Sequence, residues 1–136
     1  MEIAKNRTYD ELVKVGRKYY ADKNFCSIVA IASVCNMSFG RAQRKMKELG
    51  RKKQGGASWW QIQEVVERRG FVVTEVSIKG YVRTAPKKLD SNCNYLLVSV
   101  GHVTAVMGGV VNDWTADAGQ KNKLIVRAFK ITKFEG

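Results

Sequence analysis

The hydrophobic pattern of this chain changes period at Gly70, and this change limits the possible fold class. Before it, apolar residues recur at helical spacing, as in the stretch 58–70, which opens on a serine and closes on a glycine. After it, short runs rich in β-branched residues follow, with a loop-like stretch through Pro86. The sequence therefore predicts an α+β fold, with N-terminal helices packed on a C-terminal antiparallel sheet. The predicted strands lie within 71–78, 94–100, 102–114 and 123–131.

Four helices are predicted from apolar spacing and end signals. The first covers 8–21, and the second, Cys26–Cys35, is a run of small apolar residues that indicates a buried helix. The next two begin after the N-cap residues Ser38 and Ser58, and each ends at a glycine. In the strand region, the pair 108–109 is Gly-Gly between two apolar runs, which predicts a tight hairpin turn.

The size and cysteine content of the chain narrow its class. Its 136 residues suit one compact domain covering 1–136. Its three cysteines form no CxxC pair and accompany a single histidine, so neither a disulfide framework nor a zinc site is expected. No metal and no cofactor are predicted. Cys35 is assigned to packing on an apolar helix face, and Cys93 to a loop.

The hydropathy pattern predicts the cellular location of the chain. No apolar run approaches the roughly 18 to 20 residues that a membrane-spanning helix requires. The first twenty residues lack the apolar segment of a secretion signal. We therefore expect a cytoplasmic protein without a membrane partner.

The charge of the chain points to an acidic partner. Lys and Arg number 24 against 12 Asp and Glu, which gives a net charge of +12. Nucleic acid is the usual partner for such an excess, and an acidic host protein is a further possibility. The alternative is a diffuse positive field that serves solubility. The candidate binding residues are Arg41, Arg44, Lys45, Arg51, Lys52 and Lys53.

Three side chains could form a catalytic relay. Cys26 opens a predicted helix, where the amide dipoles favour a thiolate. His102 opens a predicted strand, and the hairpin at 108–109 would return the chain to place Asp113 near it. In a Cys-His-Asp relay the thiolate attacks, the imidazole transfers the proton and the carboxylate orients the ring. Read singly, the histidine is more often structural and the cysteine more often inert, and Asn112 is a rival for the third position.

These motifs resemble the papain-like cysteine peptidase superfamily. Within it, the chain is most similar to the small peptidase domains that remove double-glycine leaders from bacteriocins, and to compact phage-encoded relatives. The resemblance rests on "NFCSIVAIA", "SFGRAQRKMKELGR", "GGASWWQI" and "GHVTAVMGGVVND", and spans roughly residues 20 to 115. It implies a papain-like fold and a hydrolase of peptide, isopeptide or amide bonds, with Cys26, His102 and Asp113 as the triad. A phage-encoded member would act in the host cytoplasm.

The chain departs from that family pattern at two places. Tyr20 stands where the family supplies an oxyanion-hole glutamine, and the side-chain amide of Asn24 could replace it beside the Cys26 amide. Trp114 follows Asp113 where the family has proline. The alternative function is therefore a catalytically inactive papain-like fold that binds nucleic acid or a host protein through its basic surface. The oligomeric state is left open.

Overall fold

The structure is a computed structural model that describes residues 26–50, 58–100, 102–112 and 123–134. It confirms the α+β class, since described helices precede an antiparallel sheet. The predicted helix 8–21 lies outside the described residues. The helices are α1 (Cys26–Cys35), α2 (Phe39–Glu48) and α3 (Trp59–Arg68), and the strands are β1 (Phe71–Val76), β2 (Asn94–Ser99), β3 (His102–Met107), β4 (Val110–Asn112) and β5 (Arg127–Lys133).

The loop-like stretch through Pro86 is in fact a 3₁₀ helix, Val82–Lys88. The sequence prediction missed it because a 3₁₀ helix of this length has no long hydrophobic period. Val82 and Ala85 stand three residues apart, so they lie on one side of the 3₁₀ helix, and both are buried. These two side chains pack against Leu97 and Val106, so the 3₁₀ helix covers one face of the sheet.

The strands form one five-stranded sheet in the order β1-β5-β2-β3-β4, with every pair antiparallel. β5 comes last along the chain but lies between β1 and β2, with Phe129 opposite both Glu75 and Leu96. The predicted hairpin turn is confirmed, since Met107 pairs with Val110 on either side of the two glycines. The last strand of the chain is therefore an interior strand of the sheet.

Both faces of the sheet are covered. One face carries Leu96, Val103 and Phe129, and it packs against α1 and α3, with residues of α2 in the same hydrophobic cluster. The other face carries Leu97 and Val106, and it packs under the 3₁₀ helix. Adjacent residues of a strand appear in different clusters because successive side chains point to opposite sides of a sheet.

α1 is the central helix of the helical layer. Its residues from Ser27 to Cys35 are buried on all sides, as expected for a helix without a polar face. It packs mainly on β3 and on α2. Within it, the Ser33 hydroxyl donates a hydrogen bond of 2.8 Å to the Val29 carbonyl, so this buried polar group costs little.

α2 and α3 begin and end as the sequence predicts. The Ser38 hydroxyl accepts a 3.2 Å bond from the Arg41 amide at the start of α2. At the start of α3, the Ser58 amide donates to Gln61 Oε1 at 3.0 Å. Gln61 Nε2 also donates to the Leu49 carbonyl at 2.9 Å, so one side chain fixes the start of α3 against the end of α2. Within the described residues, no helix has the length and hydropathy to cross a bilayer.

Candidate functional site

The described part of the helix predicted to open at Cys26 covers Cys26–Cys35, and the residues before it lie outside the described ranges. α1 packs on β3 more extensively than on any other described strand, and β3 begins at His102 as predicted. The two elements that should carry the nucleophile and the base are therefore packed together. Asn24 and Asp113 lie outside the described residues, so the oxyanion and carboxylate assignments stay predictions.

His102 is 8% exposed and pairs across the ladder with Ser99. Its neighbours Val103 and Ala105 contribute to the cluster that packs against α1, whereas Val106 contributes to the cluster under the 3₁₀ helix. Since side chains alternate along a strand, His102 shares a face with Val106. The strand register thus places the His102 side chain on the face opposite the one that α1 covers.

The residues around His102 include a buried polar group that the sequence did not reveal. Ser99 and Thr104 are buried on the same strand face as His102, and Ser99 lies directly opposite it. The Ser99 hydroxyl oxygen has no hydrogen-bond partner in the described part of the chain. A buried hydroxyl without a partner carries a desolvation cost.

For the carboxylate or amide that would orient His102, the structure describes only the backbone of Asn112. Asn112 ends β4 and pairs with Ala105 of β3. Asp113 follows it, beyond the described residues. The preference for Asp113 over Asn112 as the partner of His102 therefore remains a prediction.

The described part of the basic surface lies on the exposed side of α2. On α2, Phe39, Ala42 and Met46 are buried, while Arg41 and Arg44 are exposed. The solvent side of α2 is therefore cationic, and the buried side is apolar. Lys45 is half-buried and Lys47 exposed on the same helix. The other candidate binding residues, Arg51, Lys52 and Lys53, lie outside the described residues.

A groove of about 150 Å³ separates α2 from the C-terminal end of α3. Its rim brings together two cations from each helix, and its floor is apolar. Arg68, the last residue of α3, and Arg69, which follows it, were not among the predicted binding residues. The sequence "ERRG" was a usable signal, because basic side chains favour helix C-termini. The lining residues are Met37, Arg41, Lys45, Glu48, Leu49, Val65, Arg68 and Arg69.

The charges on the rim are only partly neutralised. Lys45 Nζ lies 3.7 Å from Glu48 Oε2, and Arg68 Nε lies 2.8 Å from Glu64 Oε1. Both pairs are exposed to solvent, so each contributes little to stability. No carboxylate within the described ranges pairs with Arg41 or Arg69. Among the described residues, these two guanidinium groups are therefore the rim cations without an acidic partner.

The two thiols whose side chains are described have different environments. Cys35 is 3% exposed, and burial raises the pKa of its thiol to about 12 against the opposing charge of Arg69. A thiol with this pKa is protonated at neutral pH and is not a nucleophile. Cys93 is half-buried just before β2, with its sulfur 3.7 Å from Asp90 Oδ2. The packing and loop assignments of the two residues are confirmed.

The two adjacent tryptophans divide between core and surface. Trp59 stacks on Phe129 with ring centroids 4.0 Å apart and an interplanar angle of 17°. Trp60 is 59% exposed. Neither lines the cationic groove, so the groove itself offers no aromatic stacking surface.

The groove is a cationic site to which described residues of two separate helical segments contribute. No cluster of three or more His, Cys, Asp or Glu side chains suited to a metal ion occurs within the described ranges. Comparison of the chain with protein-family models, curated proteins and solved structures finds no match.

Proposed function

We propose that this chain is a cytoplasmic papain-like domain whose function is to bind an anionic macromolecule through its basic surface. The papain-like assignment rests on the motifs quoted above together with a buried central helix that packs on an antiparallel sheet. The binding assignment rests on the structure of α2. Its buried side anchors it to the core, while its exposed side presents cations to solvent.

The observation that carries this proposal is the cationic rim shared by α2 and α3. Arg41 and Arg69 come from different helices, line one groove and have no carboxylate partner among the described residues. A diffuse field would not require such convergence. Guanidinium groups bind carboxylates and phosphates through paired hydrogen bonds, so a rim of this kind suits either anion.

A matched pair of charge-reversal variants tests the proposal. The variant Arg41→Glu/Arg44→Glu/Lys45→Glu alters the α2 surface, and Lys121→Glu/Lys123→Glu/Lys130→Glu makes the same charge change elsewhere. We expect the α2 variant to leave a heparin column at a much lower NaCl concentration than the control variant, because a localised site loses its contacts. Equal losses in the two variants would mean that only net charge matters, and would overturn the proposal. Circular dichroism checks that both variants fold.

A second candidate function, cysteine hydrolysis, is favoured by a different observation. The described part of α1, Cys26–Cys35, packs on β3, which begins at the buried His102. In this function Cys26 is the nucleophile, His102 the base and Asp113 the orienting carboxylate, with Asn24 in the oxyanion hole. The strand register opposes it, because His102 shares a face with Val106 rather than with Val103.

Alkylation kinetics distinguish this candidate from a purely binding domain. If His102 activates Cys26, iodoacetamide should modify Cys26 well below pH 8, and His102→Ala should move the rate profile to higher pH. Cys93 is the internal control within the same chain, quantified by mass spectrometry in the same sample. Faster modification of Cys93 than of Cys26 in the unaltered protein would exclude the hydrolase.

A further inference from the structure

The floor of the groove between α2 and α3 is apolar, so the groove offers a ligand more than positive charge. Met37, Leu49 and Val65 line it, and all three are apolar. Met37 and Val65 belong to the main core, so the floor is a small opening onto that core. A phosphate group would gain nothing from such a floor, because burying a charge against apolar atoms costs free energy.

The size of the groove matches a single apolar side chain. A volume of about 150 Å³ is comparable to a cavity that holds one benzene-sized group. The rim places Arg41 and Arg69, which have no carboxylate partner among the described residues, beside this volume. An occupant that fits must combine an apolar group at its centre with anionic groups on its flanks.

We propose that the groove binds an acidic protein segment that inserts one aliphatic or aromatic side chain between α2 and α3, with its flanking carboxylates on Arg41 and Arg69. This inference rests on the proposed function and names the partner of that same site. The charge complementarity selects an acidic ligand, and the apolar floor selects a protein over a nucleic acid. Base recognition by single-strand binders relies on aromatic stacking, and the groove contains no ring.

The carboxylate of Glu48 also lines the groove and opposes an acidic ligand. It lies 3.7 Å from Lys45 Nζ in an exposed pair, so the lysine offsets its charge. Arg68 is likewise paired with Glu64 at 2.8 Å. Arg41 and Arg69, which have no carboxylate partner among the described residues, therefore carry the specific contacts with the ligand.

The test measures binding of defined peptides to the full chain by fluorescence anisotropy. The probe is a fluorescein-labelled undecapeptide with five glutamates on each side of a central leucine. The matched peptide carries serine at the centre, so its charge is identical. We expect the leucine peptide to bind about tenfold more tightly or better, because burying a leucine side chain favours association by that order. A single-stranded oligothymidylate of twelve nucleotides is the nucleic-acid probe.

Two double variants assign the binding to the groove. Arg41→Glu/Arg69→Glu removes the rim cations that have no carboxylate partner among the described residues, whereas Lys123→Glu/Lys130→Glu makes the same charge change away from α2 and from the groove lining. The groove variant should abolish the preference for leucine over serine, and the control should keep it while weakening both peptides alike. Circular dichroism confirms folding of each variant.

Each contrary result has a distinct meaning. Equal affinity of the two peptides for the unaltered chain would overturn the inference and leave the proposed function standing, provided that both peptides need the groove cations. Tighter binding of the oligothymidylate, lost in the groove variant, would replace the acidic protein with nucleic acid. Equal weakening of every probe by both variants would overturn the proposed function as well.

Discussion

The buried thiol of Cys35 shows how a single residue changes character with its surroundings. It ends α1, with its sulfur removed from water, and the nearby charge of Arg69 offsets only part of the desolvation. The sequence offered three thiols, and the structure makes this one inert. Its effect is on stability rather than on chemistry.

The raised pKa of Cys35 makes stability depend on pH in the alkaline range. The folded chain keeps the thiol protonated up to about pH 12, whereas the unfolded chain ionises it from about pH 9. A group whose pKa is raised on folding stabilises fully below the unfolded value and loses that contribution as pH rises toward the folded value. We therefore expect the free energy of unfolding to fall between pH 9 and pH 12.

The variant Cys35→Ala isolates this effect, because it removes the ionisable group and leaves every other titration in place. Urea unfolding at several pH values should show a steeper alkaline decline for the unaltered chain than for Cys35→Ala. Parallel curves would contradict the assignment. At pH 8, iodoacetamide should leave Cys35 unmodified in the folded chain and modify it in urea.

At the scale of elements, the hairpin between β3 and β4 depends on its turn. Gly108 and Gly109 have φ angles of 56° and 84°, which lie in the left-handed region. Such a turn matches the twist of the two strands, so the Gly-Gly pair fixes which residues face each other. The register from Met107 to Ala105 follows from this local geometry.

Replacing Gly109 should weaken the hairpin measurably. A Cβ at this position would lie 3.3 Å from Ser91 Cβ, and the φ angle would disfavour any L side chain. We expect Gly109→Ala to lower the free energy of unfolding by about 1–2 kcal/mol in urea denaturation. The control Val110→Ala removes an exposed side chain, 67% accessible, and should change it by less than about 0.5 kcal/mol. A neutral Gly109→Ala would show that the turn tolerates a side chain.

α2 and α3 form the second functional unit at this scale. Their relative position is fixed near the groove by Gln61, which bonds to the end of one helix and the start of the other. This contact sets the separation across which Arg41 and Arg69 can act on one ligand. The groove is therefore a property of the helix pair and of neither helix alone.

At the scale of the whole molecule, folding depends on β5, the last described strand in chain order. β5 pairs with β1 on one side and with β2 on the other, so it joins segments that are far apart in the chain. Phe129 and Ile131 also contribute to the core beneath the helices. Contacts of this separation form only after much chain entropy has been lost.

Removing β5 should therefore abolish cooperative unfolding. A chain that lacks residues 127–136 leaves β1 without its strand partner and opens the helical core. We expect thermal circular dichroism of this variant to show no sigmoidal transition, whereas removal of 135–136 alone should preserve it. A cooperative transition in the shorter chain would show that β2, β3 and the helices form an independent unit.

The sequence by itself determined the features that depend on local interactions. The start of β3 at His102, the serine caps of α2 and α3, and the Gly-Gly turn were all predicted and are confirmed. Each of these features depends on residues only a few positions apart in the chain, so a short stretch of sequence is enough to predict it. The α+β class follows from the same patterns taken in order.

Only the tertiary structure decided which of these elements meet and which faces they present. The position of β5 inside the sheet and the convergence of Arg68 and Arg69 with Arg41 depend on contacts between distant segments. The face of His102 depends on strand register, where a shift of one residue reverses every side chain. Local propensity does not contain that information, because both registers satisfy the backbone hydrogen bonds and only the packed core distinguishes them.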